Sequence, residues 1–468
     1  MKVKFCGAAG EVTGSSHLVT LSNGYKALLD CGLYQGDPEK AYDMNRQFEF
    51  DPRELDCVIL SHAHIDHIGR LPKLVKKGFR GNVYATPATR SLALIMLLDS
   101  AKIQQYDYEY DVKIAQRKGL PTKHMEPLYT VDDVYKALSL FVTVGYNRWL
   151  KIKSNLSLYF REAGHILGSA SICLKIKEEG KEFKLGFTGD IGRPSRPIIK
   201  NPEPMHKVDY LICESTYGGR KHESRPSEYK HLLDIITKTC VEKKGKLIIP
   251  AFSLGRTQEI VFMLDKMSSS GELPKIPVYV DSPLSVNATR VFRLHPECYD
   301  DELVDYIEFN PDPFGFNGLH YITDVNDSKA INSIKTPAII ISSSGMVNAG
   351  RVRHHVANNI ENPNSTILIV GYCAPGTTGH ALAIGKEEIF LFGDKKKVRA
   401  DIEVMDSFSA HADEDEMIDF VSNQKKSVKK IFLVHGSDTA RAAFTDRLSK
   451  EGFSQVFSPM LGDEVELD

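Results

Sequence analysis

The spacing of apolar and polar positions divides the first 200 residues into strands, a helical stretch and strands again. Short apolar runs bounded by Gly and Asn predict early strands at Lys2–Cys6, Ser16–Leu21, Tyr25–Asp30 and Cys57–Leu60. Apolar positions then take a helical spacing over residues 88–145. Strands are predicted again at Leu156–Arg161, Ser171–Lys177 and Phe183–Thr188.

After Tyr210 the pattern changes to an alternation of strands and helices. Near-continuous apolar runs, typical of parallel strands buried on both faces, occur at Lys246–Pro250, Val278–Asp281, Ala338–Ile341 and Thr366–Val370. A β-rich pattern returns near residue 395 and ends with a helix near 413–423 and a strand at Lys430–Val434. The pattern predicts an α/β protein in which a parallel-sheet segment, residues 211–395, is inserted into one β-rich domain formed by residues 1–210 and 396–468.

Composition adds limits on the class of protein. A length of 468 residues suggests two or three domains or one domain with a large insertion, and 42% apolar and 26% charged residues are ordinary for a globular protein. No run approaches the roughly 18 apolar residues of a membrane span, and the N-terminus lacks a signal-peptide core. The eight Cys residues form no CxxC pair, which favours a reducing, cytoplasmic compartment. A net charge of −2 does not indicate a protein that binds a long nucleic-acid duplex, which usually has a basic excess. It is compatible with a nuclease whose cleft is locally basic.

The segment His62-Ala63-His64-Ile65-Asp66-His67 concentrates four metal-binding side chains after a predicted strand and before the helix-like run Ile68–Val75. Residues 62 and 64 point the same way in an extended loop, whereas Asp66 and His67 lie where the chain turns into the helix. Imidazole and carboxylate together suit zinc. A purely structural cluster of this kind would be costly, because crowded imidazoles would lack hydrogen-bond partners or repel one another. The segment therefore predicts a site for two neighbouring metal ions.

Further ligand candidates follow other predicted strands. Asp30, His165, Asp190 and His435 each end or follow an apolar run, and Gly lies next to each of them or one residue away. Taken singly, each has an ordinary explanation, since an Asp such as Asp30 is often only a turn former. Strand ends that converge on one edge of a sheet would bring these side chains to the same place.

These motifs resemble those of the metallo-β-lactamase superfamily. His62–His67, with Asp30, His165 and Asp190, is similar to the metal-binding set, and Tyr210–Gly219, Ser407–Asp413 and Leu433–Gly436 are similar to the three extra motifs of its β-CASP branch. That branch contains nucleic-acid-processing nucleases, among them the mRNA 3′-end processing endonuclease and its bacterial and archaeal relatives. The resemblance implies a metallo-β-lactamase αββα sandwich with an inserted β-CASP domain, a parallel sheet flanked by helices.

The resemblance also implies roles for individual residues. His62, His64 and His165 would bind one zinc ion, Asp66, His67 and His435 a second, and Asp190 would bridge the two, with Asp30 orienting a ligand imidazole from behind. Two such cations would make hydroxide available near neutral pH and hold the oxygens of a phosphoryl displacement.

Two acid–base residues are expected beside the metals. Glu214 matches the acidic first β-CASP motif and His411 the second. We expect His411 to be the general acid that protonates the leaving oxygen, with Glu214 orienting it and raising its pKa, and Asp66 counts among the catalytic residues as well. The alternative is that Glu214 and His411 only stabilise the domain junction. RNA-acting family members carry His at the third motif, so His435 favours RNA over DNA by resemblance.

Glycine- and hydroxyl-rich loops after the predicted parallel strands are candidates for binding the phosphate backbone. They are also consistent with plain turns. The candidate substrate-binding residues are Arg256, Ser343, Ser344, Gly345, Thr377, Gly379 and His380.

The sequence thus predicts a zinc-dependent, mainly endonucleolytic ribonuclease with two Zn²⁺ ions, which binds single-stranded RNA and no membrane; a homodimer is left open. Two alternatives stand beside it. A small-molecule metallo-hydrolase with a large lid is disfavoured because the insertion contributes motifs, and a non-catalytic RNA-processing subunit is disfavoured because every expected ligand is present.

Overall fold

The computed structural model describes residues 1–119, 121–122, 126–222, 228–405 and 409–468. The strands are β1 (Lys2–Gly7), β2 (Ser16–Thr20), β3 (Lys26–Leu29), β4 (Cys57–Ile59), β5 (Asn82–Ala85), β6 (Phe141–Thr143), β7 (Trp149–Lys153), β8 (Leu156–Glu162), β9 (Ala170–Glu178), β10 (Lys181–Phe187), β11 (Tyr210–Glu214), β12 (Lys246–Pro250), β13 (Val278–Asp281), β14 (Leu319–Ile322), β15 (Ala338–Ser342), β16 (Thr366–Val370), β17 (Glu388–Leu391), β18 (Asp394–Lys397), β19 (Asp401–Met405), β20 (Lys430–Val434), β21 (Val456–Phe457) and β22 (Glu464–Glu466).

The structure also contains α-helices of 4 to 31 residues among its described residues. They are α1 (Pro38–Arg46), α2 (Ile65–Ile68), α3 (Leu71–Lys76), α4 (Pro87–Arg117), α5 (Val131–Leu138), α6 (Glu228–Ile236), α7 (Arg256–Ser269), α8 (Pro283–Leu294), α9 (Asp301–Phe309), α10 (Val325–Ser333), α11 (Val352–Asn359), α12 (Thr378–Ala383), α13 (Glu414–Val421) and α14 (Asp438–Lys450). Within the described ranges, each helix is too short or too polar to span a lipid bilayer.

The chain forms two compact units. Unit 1 consists of Met1–Arg196, Lys200–Lys221 and His411–Asp468, and unit 2 of Pro197–Ile199 and His222–Ala410. Unit 2 is therefore, in chain order, an insertion into unit 1.

Unit 1 is a sandwich of two mixed sheets. Among the described residues, one seven-stranded sheet has the order β22-β1-β2-β3-β4-β5-β6 and the other the order β21-β20-β11-β10-β9-β8-β7. Apolar side chains of both sheets, including Phe5, Phe160 and Phe432, form the core between them. A second cluster joins α13 and α14 to the outer face of the second sheet, and α4 packs along β6 of the first. The fold class expected from the sequence is confirmed.

One edge of this sandwich collects the ends of several strands. Strands β3 and β4 are parallel, so the residues that follow them lie side by side. Strands β10, β11 and β20 are parallel to one another, and β8 and β10 both run antiparallel to β9. The residues that follow β8, β10 and β20 therefore emerge at one edge, as the sequence pattern predicted.

Unit 2 contains a parallel sheet, ordered β14-β13-β15-β12-β16-β19 in the described part of the chain, and the hairpin β17–β18. Strands β12, β15 and β16, in the middle of the sheet, are buried along their whole length, as is typical of parallel strands with helices on both faces. A separate core that includes Ile340, Ile367 and Val356 stabilises this unit.

The predicted elements differ from the observed ones in detail. The helix-like run Ile68–Val75 divides into α2 and α3, because Pro72 can stand in the first turn of a helix but not in its interior. The helical stretch 88–145 contains α4 and α5 and ends in β6. All eight cysteines are buried free thiols, and Cys6, Cys57, Cys173 and Cys213 lie in strands. Ser407 and Phe408 of the second extra motif lie outside the described residues.

Candidate metal centre

The His-rich segment occupies the turn between β4 and α2. His64 is the residue before the first turn of α2, and Asp66 and His67 lie in that turn. His62 and His67 are buried, whereas His64 and Asp66 are partly exposed. Gly189 has a φ of +57°, and a Cβ there would lie 2.6 Å from Ser61 Cβ, so the loop that carries Asp190 approaches the His loop as only glycine allows.

A first cluster unites His62, His64, His165 and Asp190. His62 Nε2 lies 3.1 Å from His64 Nδ1, and His165 Nε2 lies 3.2 Å from the same atom. Asp190 Oδ2 lies 3.5 Å from both His62 Nε2 and His165 Nε2. Four ligand atoms thus face one point.

A second cluster unites Asp66, His67 and His435. His67 Nε2 and His435 Nε2 are 3.2 Å apart, and Asp66 Oδ2 lies 3.4 Å from His435 Nε2. Asp190 Oδ1 lies 3.4 Å from His67 Nε2. The two oxygens of Asp190 therefore face different clusters, which is the geometry of a bridging ligand.

The arrangement of these side chains suits bound metal ions better than it suits hydrogen bonds among the side chains themselves. Neutral imidazole has one N–H, so His64 Nδ1 cannot make a good hydrogen bond to both of the imidazole nitrogens beside it. Ligand atoms around a tetrahedral zinc are about 3.4 Å apart, because each bond is about 2.0–2.1 Å long. Most distances in the two clusters, 3.1–3.5 Å, lie close to that value, and the longest one given, between His67 Nε2 and Asp66 Oδ2, is 3.9 Å.

Asp30 supports the second cluster from behind. Its Oδ2 lies 2.7 Å from His67 Nδ1, so His67 donates Nδ1–H and presents Nε2 to the cluster. Ser61 donates its backbone N–H and its Oγ–H to Asp30, both at 2.8 Å, and Ser15 Oγ donates at 3.2 Å. Asp30 and His435 have φ angles of +60° and +52°. Such left-handed backbone costs about 1–2 kcal/mol per residue and concentrates at functional sites.

The pKa values of the histidines are shifted in opposite directions in the two clusters. Burial lowers the pKa of His64 to about 4 and holds the pKa values of His62 and His165 well below the ordinary value. These rings are neutral at neutral pH, which is the state that binds metal. Burial also disfavours charge on His67 and His435, but the nearby carboxylates, chiefly Asp190, outweigh it and raise both pKa values.

Glu214 and His411 form a separate pair beside the first cluster. His411 Nδ1 lies 3.4 Å from Glu214, and His411 Nε2 lies 3.9 Å from Asp190 Oδ2. Glu214 also accepts the backbone N–H of Ile191 at 2.5 Å. Burial alone would lower the pKa of His411, but the carboxylate of Glu214 outweighs it, and the pKa is raised to about 9. Nδ1 of His411 is thus occupied, and Nε2 faces the region of the metals.

Three hydroxyl residues of the site were not among the predicted site residues. Thr216 Oγ1 lies 2.5 Å from Glu214 Oε2 and 3.0 Å from His435 Nδ1, so it connects the two motifs. Ser61 and Ser15 hold Asp30. Their only sequence signal was their position next to or near ligands, since Ser and Thr are common in any loop.

The candidate substrate-binding residues lie in unit 2, where loops leave the carboxyl ends of β12, β15 and β16. The residues after β15 contact those after β16, because Cys373 Sγ lies 3.7 Å from Gly345 O and Gly379 N–H donates to Met346 O at 2.9 Å. Ser343 Oγ lies 2.7 Å from Ser282 Oγ. The structure thus brings the serine loop and the glycine–threonine loop together.

The other candidates take more local positions. Thr377 Oγ1 accepts the backbone N–H of His380 and so begins α12, while Ser344 Oγ bonds to Ala349. Arg256 is buried and forms an ion pair with Glu259. Its guanidinium is thereby held within α7.

Three family models match consecutive parts of the chain. The metallo-beta-lactamase superfamily model matches residues 9–132, the Beta-Casp domain model residues 257–382, and a model described as a Zn-dependent metallo-hydrolase RNA specificity domain residues 395–459.

Full-length relatives also match. The chain is 34% identical to Ribonuclease TTHA0252 of Thermus thermophilus over 97% of both chains. It is 30% identical to an RNase J-like protein of Methanocaldococcus jannaschii over 98% of both chains. It is also 30% identical to the transcription termination factor FttA of the same organism, over 99% of this chain and 71% of that one.

Proposed function

The chain belongs to the β-CASP branch of the metallo-β-lactamase superfamily, and from that premise we propose that it is a zinc-dependent ribonuclease that cuts RNA mainly at internal phosphodiester bonds. The observation that carries the proposal is the position of Asp190, whose two oxygens face two separate clusters while His411 Nε2 lies 3.9 Å from one of them. Metal ligands and a proton donor thus meet at one point.

Two zinc ions fit the donor sets. His62, His64 and His165 would hold one, Asp66, His67 and His435 the other, and Asp190 both. Ions held there would lower the pKa of a bound water and neutralise phosphate charge.

His411 is proposed as the general acid. Glu214 holds its Nδ1–H and favours the protonated ring, so that Nε2–H can be donated to the leaving oxygen of the scissile phosphodiester. To act as the general acid, His411 needs a proton at Nε2 and a ring orientation that the contact with Glu214 fixes.

RNA is proposed as the substrate because a relative that matches the whole chain is named a ribonuclease and because His435 stands at the third motif. The loops around Ser343–Gly345 and Thr377–His380 are proposed to contact the phosphate backbone through N–H groups and hydroxyls. A cytoplasmic location stays a prediction from the sequence.

Cleavage of a labelled single-stranded RNA, with and without chelator, tests the proposal. We expect cleavage that chelator abolishes and added zinc restores, and no comparable cleavage of DNA of the same sequence. His411→Ala should lower the rate by about 10²–10⁴-fold while the zinc content stays at two per chain. His320→Ala, at an exposed position in unit 2, is the matched control and should leave the rate unchanged. Intact RNA under every metal condition would contradict the proposal.

The endonucleolytic mode has its own test. A closed circular RNA has no end, so an endonuclease opens it and a 5′-exonuclease does not. We expect circular and linear RNA of one sequence to be cut at similar rates. Resistance of the circle would show that the enzyme starts from an end.

A further inference from the structure

The hairpin β17–β18 of unit 2 carries two aromatic rings that are open to solvent. Phe390 is 69% and Phe392 49% exposed, while Ile389 and Leu391 between and before them are buried. Phe390 lies on the exposed face of β17, since side chains alternate along a strand, and Phe392 follows β17 in the turn of the hairpin, with a φ of +56°. Large exposed apolar groups side by side mark a binding surface more often than scattered single ones do.

Phe392 already belongs to a stack. Its ring lies 4.5 Å from the ring of His354, with 24° between the planes, and the guanidinium carbon of Arg353 lies 4.5 Å from its centroid. A planar cation and an imidazole beside a phenyl ring form a rigid surface that loses little freedom when another planar group stacks on it.

Basic residues outnumber acidic ones in the hairpin segment that carries these rings. Lys395 stands opposite Phe390 in the hairpin and pairs with Glu388, and Lys397, opposite Glu388, is exposed. Residues 386–399 contain five Lys or Arg and three Asp or Glu, whereas the whole chain has 59 and 61. Partial burial, and after it the charges of His355, Arg353 and Lys329, lower the pKa of His354, in keeping with a positive local field.

The stack adjoins the loop proposed to contact phosphate. Val352, the first residue of α11, donates its N–H to Ser343 O at 3.4 Å, and Arg353 and His354 follow directly in the first turn. A strand whose phosphate is held at Ser343–Gly345 would therefore have its neighbouring nucleotides over Phe392 and then Phe390.

We propose that the hairpin surface, defined as Phe390, Phe392, His354, Arg353 and Lys397, binds single-stranded RNA by stacking successive bases on its rings while the cations contact phosphates. Stacking of this kind is tolerant of sequence, because every base has a flat face. The proposal rests on the proposed function and extends it by naming the surface of unit 2 that binds the strand. Charge and preformed stacking favour RNA over a protein partner here.

Binding of a fluorescent single-stranded RNA to zinc-loaded protein in the His411→Ala background tests the surface. We expect Phe390→Ala and Phe392→Ala each to raise the Kd about tenfold, the usual effect of losing one stacked base, and Phe390→Tyr to keep wild-type affinity. An oligonucleotide without bases should bind all these variants equally.

Phe309→Ala is the matched control. Phe309 is 86% exposed, but it ends helix α9, whose first turn is acidic, so its removal should leave the Kd and the rate of RNA cleavage unchanged. Because the mutated rings are exposed, melting temperatures should agree among the variants and exclude misfolding.

The outcomes separate this proposal from the one it rests on. Equal Kd values for the double variant Phe390→Ala/Phe392→Ala and its parent, with RNA cleavage intact in the wild type, would overturn the hairpin surface and point to a protein contact there. Absence of RNA cleavage in the wild type would overturn the proposed function instead, whatever the Kd values are.

Discussion

Thr216 shows how a single hydroxyl can join two parts of the candidate centre. Its Oγ1 lies between Glu214 Oε2, at 2.5 Å, and His435 Nδ1, at 3.0 Å. His435 can donate Nδ1–H to this oxygen, which leaves the Nε2 lone pair for a metal, while the Thr216 hydroxyl donates to Glu214. The carboxylate that holds His411 is thereby connected to a ligand of the second cluster.

Replacing Thr216 with Val keeps the shape and removes the hydroxyl. We expect Thr216→Val to weaken zinc binding in the Asp66–His67–His435 cluster by about 10–100-fold, the usual effect of losing a group that orients a metal-bound imidazole. Zinc retained per chain after dialysis against graded chelator, measured by elemental analysis, should fall from two to one at a lower chelator concentration than in the wild type.

Two further variants make that result specific. Thr216→Ser restores the hydroxyl and should restore zinc retention. Thr239→Val removes a buried hydroxyl in unit 2, 2.7 Å from Thr366 Oγ1, and should have no effect on zinc. Zinc retention that is identical in Thr216→Val and the wild type would contradict the orienting role.

Whether a site residue could be predicted from the sequence depended on how unusual its residue type is at that position. His and Asp at the ends of apolar strands are unusual enough to be noticed, and the structure brings all of them together. The sequence did not predict the roles of Thr216, Ser61 and Ser15, because Ser and Thr are common in loops and their partners lie far away in the chain. Arg256 was a candidate for contacting phosphate by residue type, yet its neighbour one turn later, Glu259, holds it.

At the scale of elements, a buried network fixes the start of α11 to the end of β13. Asp281 Oδ2 accepts from His355 Nε2 at 2.7 Å and from Ser328 Oγ at 2.5 Å, and Asp281 Oδ1 accepts from Arg351 Nη1 at 2.7 Å. Burial by itself would raise the pKa of Asp281, but its hydrogen bonds, first that from His355, outweigh burial and lower it. One carboxylate thus joins β13, α10 and α11.

Asp281→Asn should therefore destabilise unit 2 by about 3 kcal/mol at pH 7, the usual result of breaking a buried ionic contact. The effect depends on pH with a definite sign. Because the folded pKa is below that of an unfolded Asp, the stabilisation is complete above about pH 4 and is lost as the pH falls through the folded value. Denaturant unfolding of Asp281→Asn and wild type at pH 7 and pH 3 should show a difference that shrinks on acidification.

The exposed Asp305 on α9 supplies the control, since Asp305→Asn should leave unfolding unchanged at both pH values. A destabilisation of Asp281→Asn that is equal at pH 7 and pH 3 would indicate that lost packing, and not the lost charge, is responsible.

Elements were predictable where local pattern and tertiary environment agree. The buried strands β12, β15 and β16 were foreseen because both faces of a parallel strand are apolar. The break between α2 and α3 depends on Pro72, whose effect on a helix is local and could have been anticipated. Contacts such as that between Gly379 and Met346 could not be foreseen, since they depend on the order of strands in the sheet.

For the whole molecule, the two units place different chemistry on separate cores. Every ligand of the candidate metal centre, with Glu214 and His411, lies in unit 1, whereas the parallel-strand loops and the hairpin surface lie in unit 2. Under the proposed function, unit 1 would therefore cleave the RNA, and the inserted unit 2 would bind the RNA strand.

This separation predicts that metal removal acts on unit 1 alone. Each ion that binds only the folded state stabilises it by about 4 kcal/mol when its free concentration is 1,000 times its Kd, which corresponds to about 10 °C per ion for a unit of this size. Without them, the carboxylates and imidazoles of both clusters would remain buried beside one another. Calorimetry of chelator-treated protein should show one transition lowered and one unchanged, and Asp281→Asn should lower the other transition only. If chelator lowered both transitions equally, the metals would stabilise the whole chain, and the two units could not be treated as independent cooperative blocks.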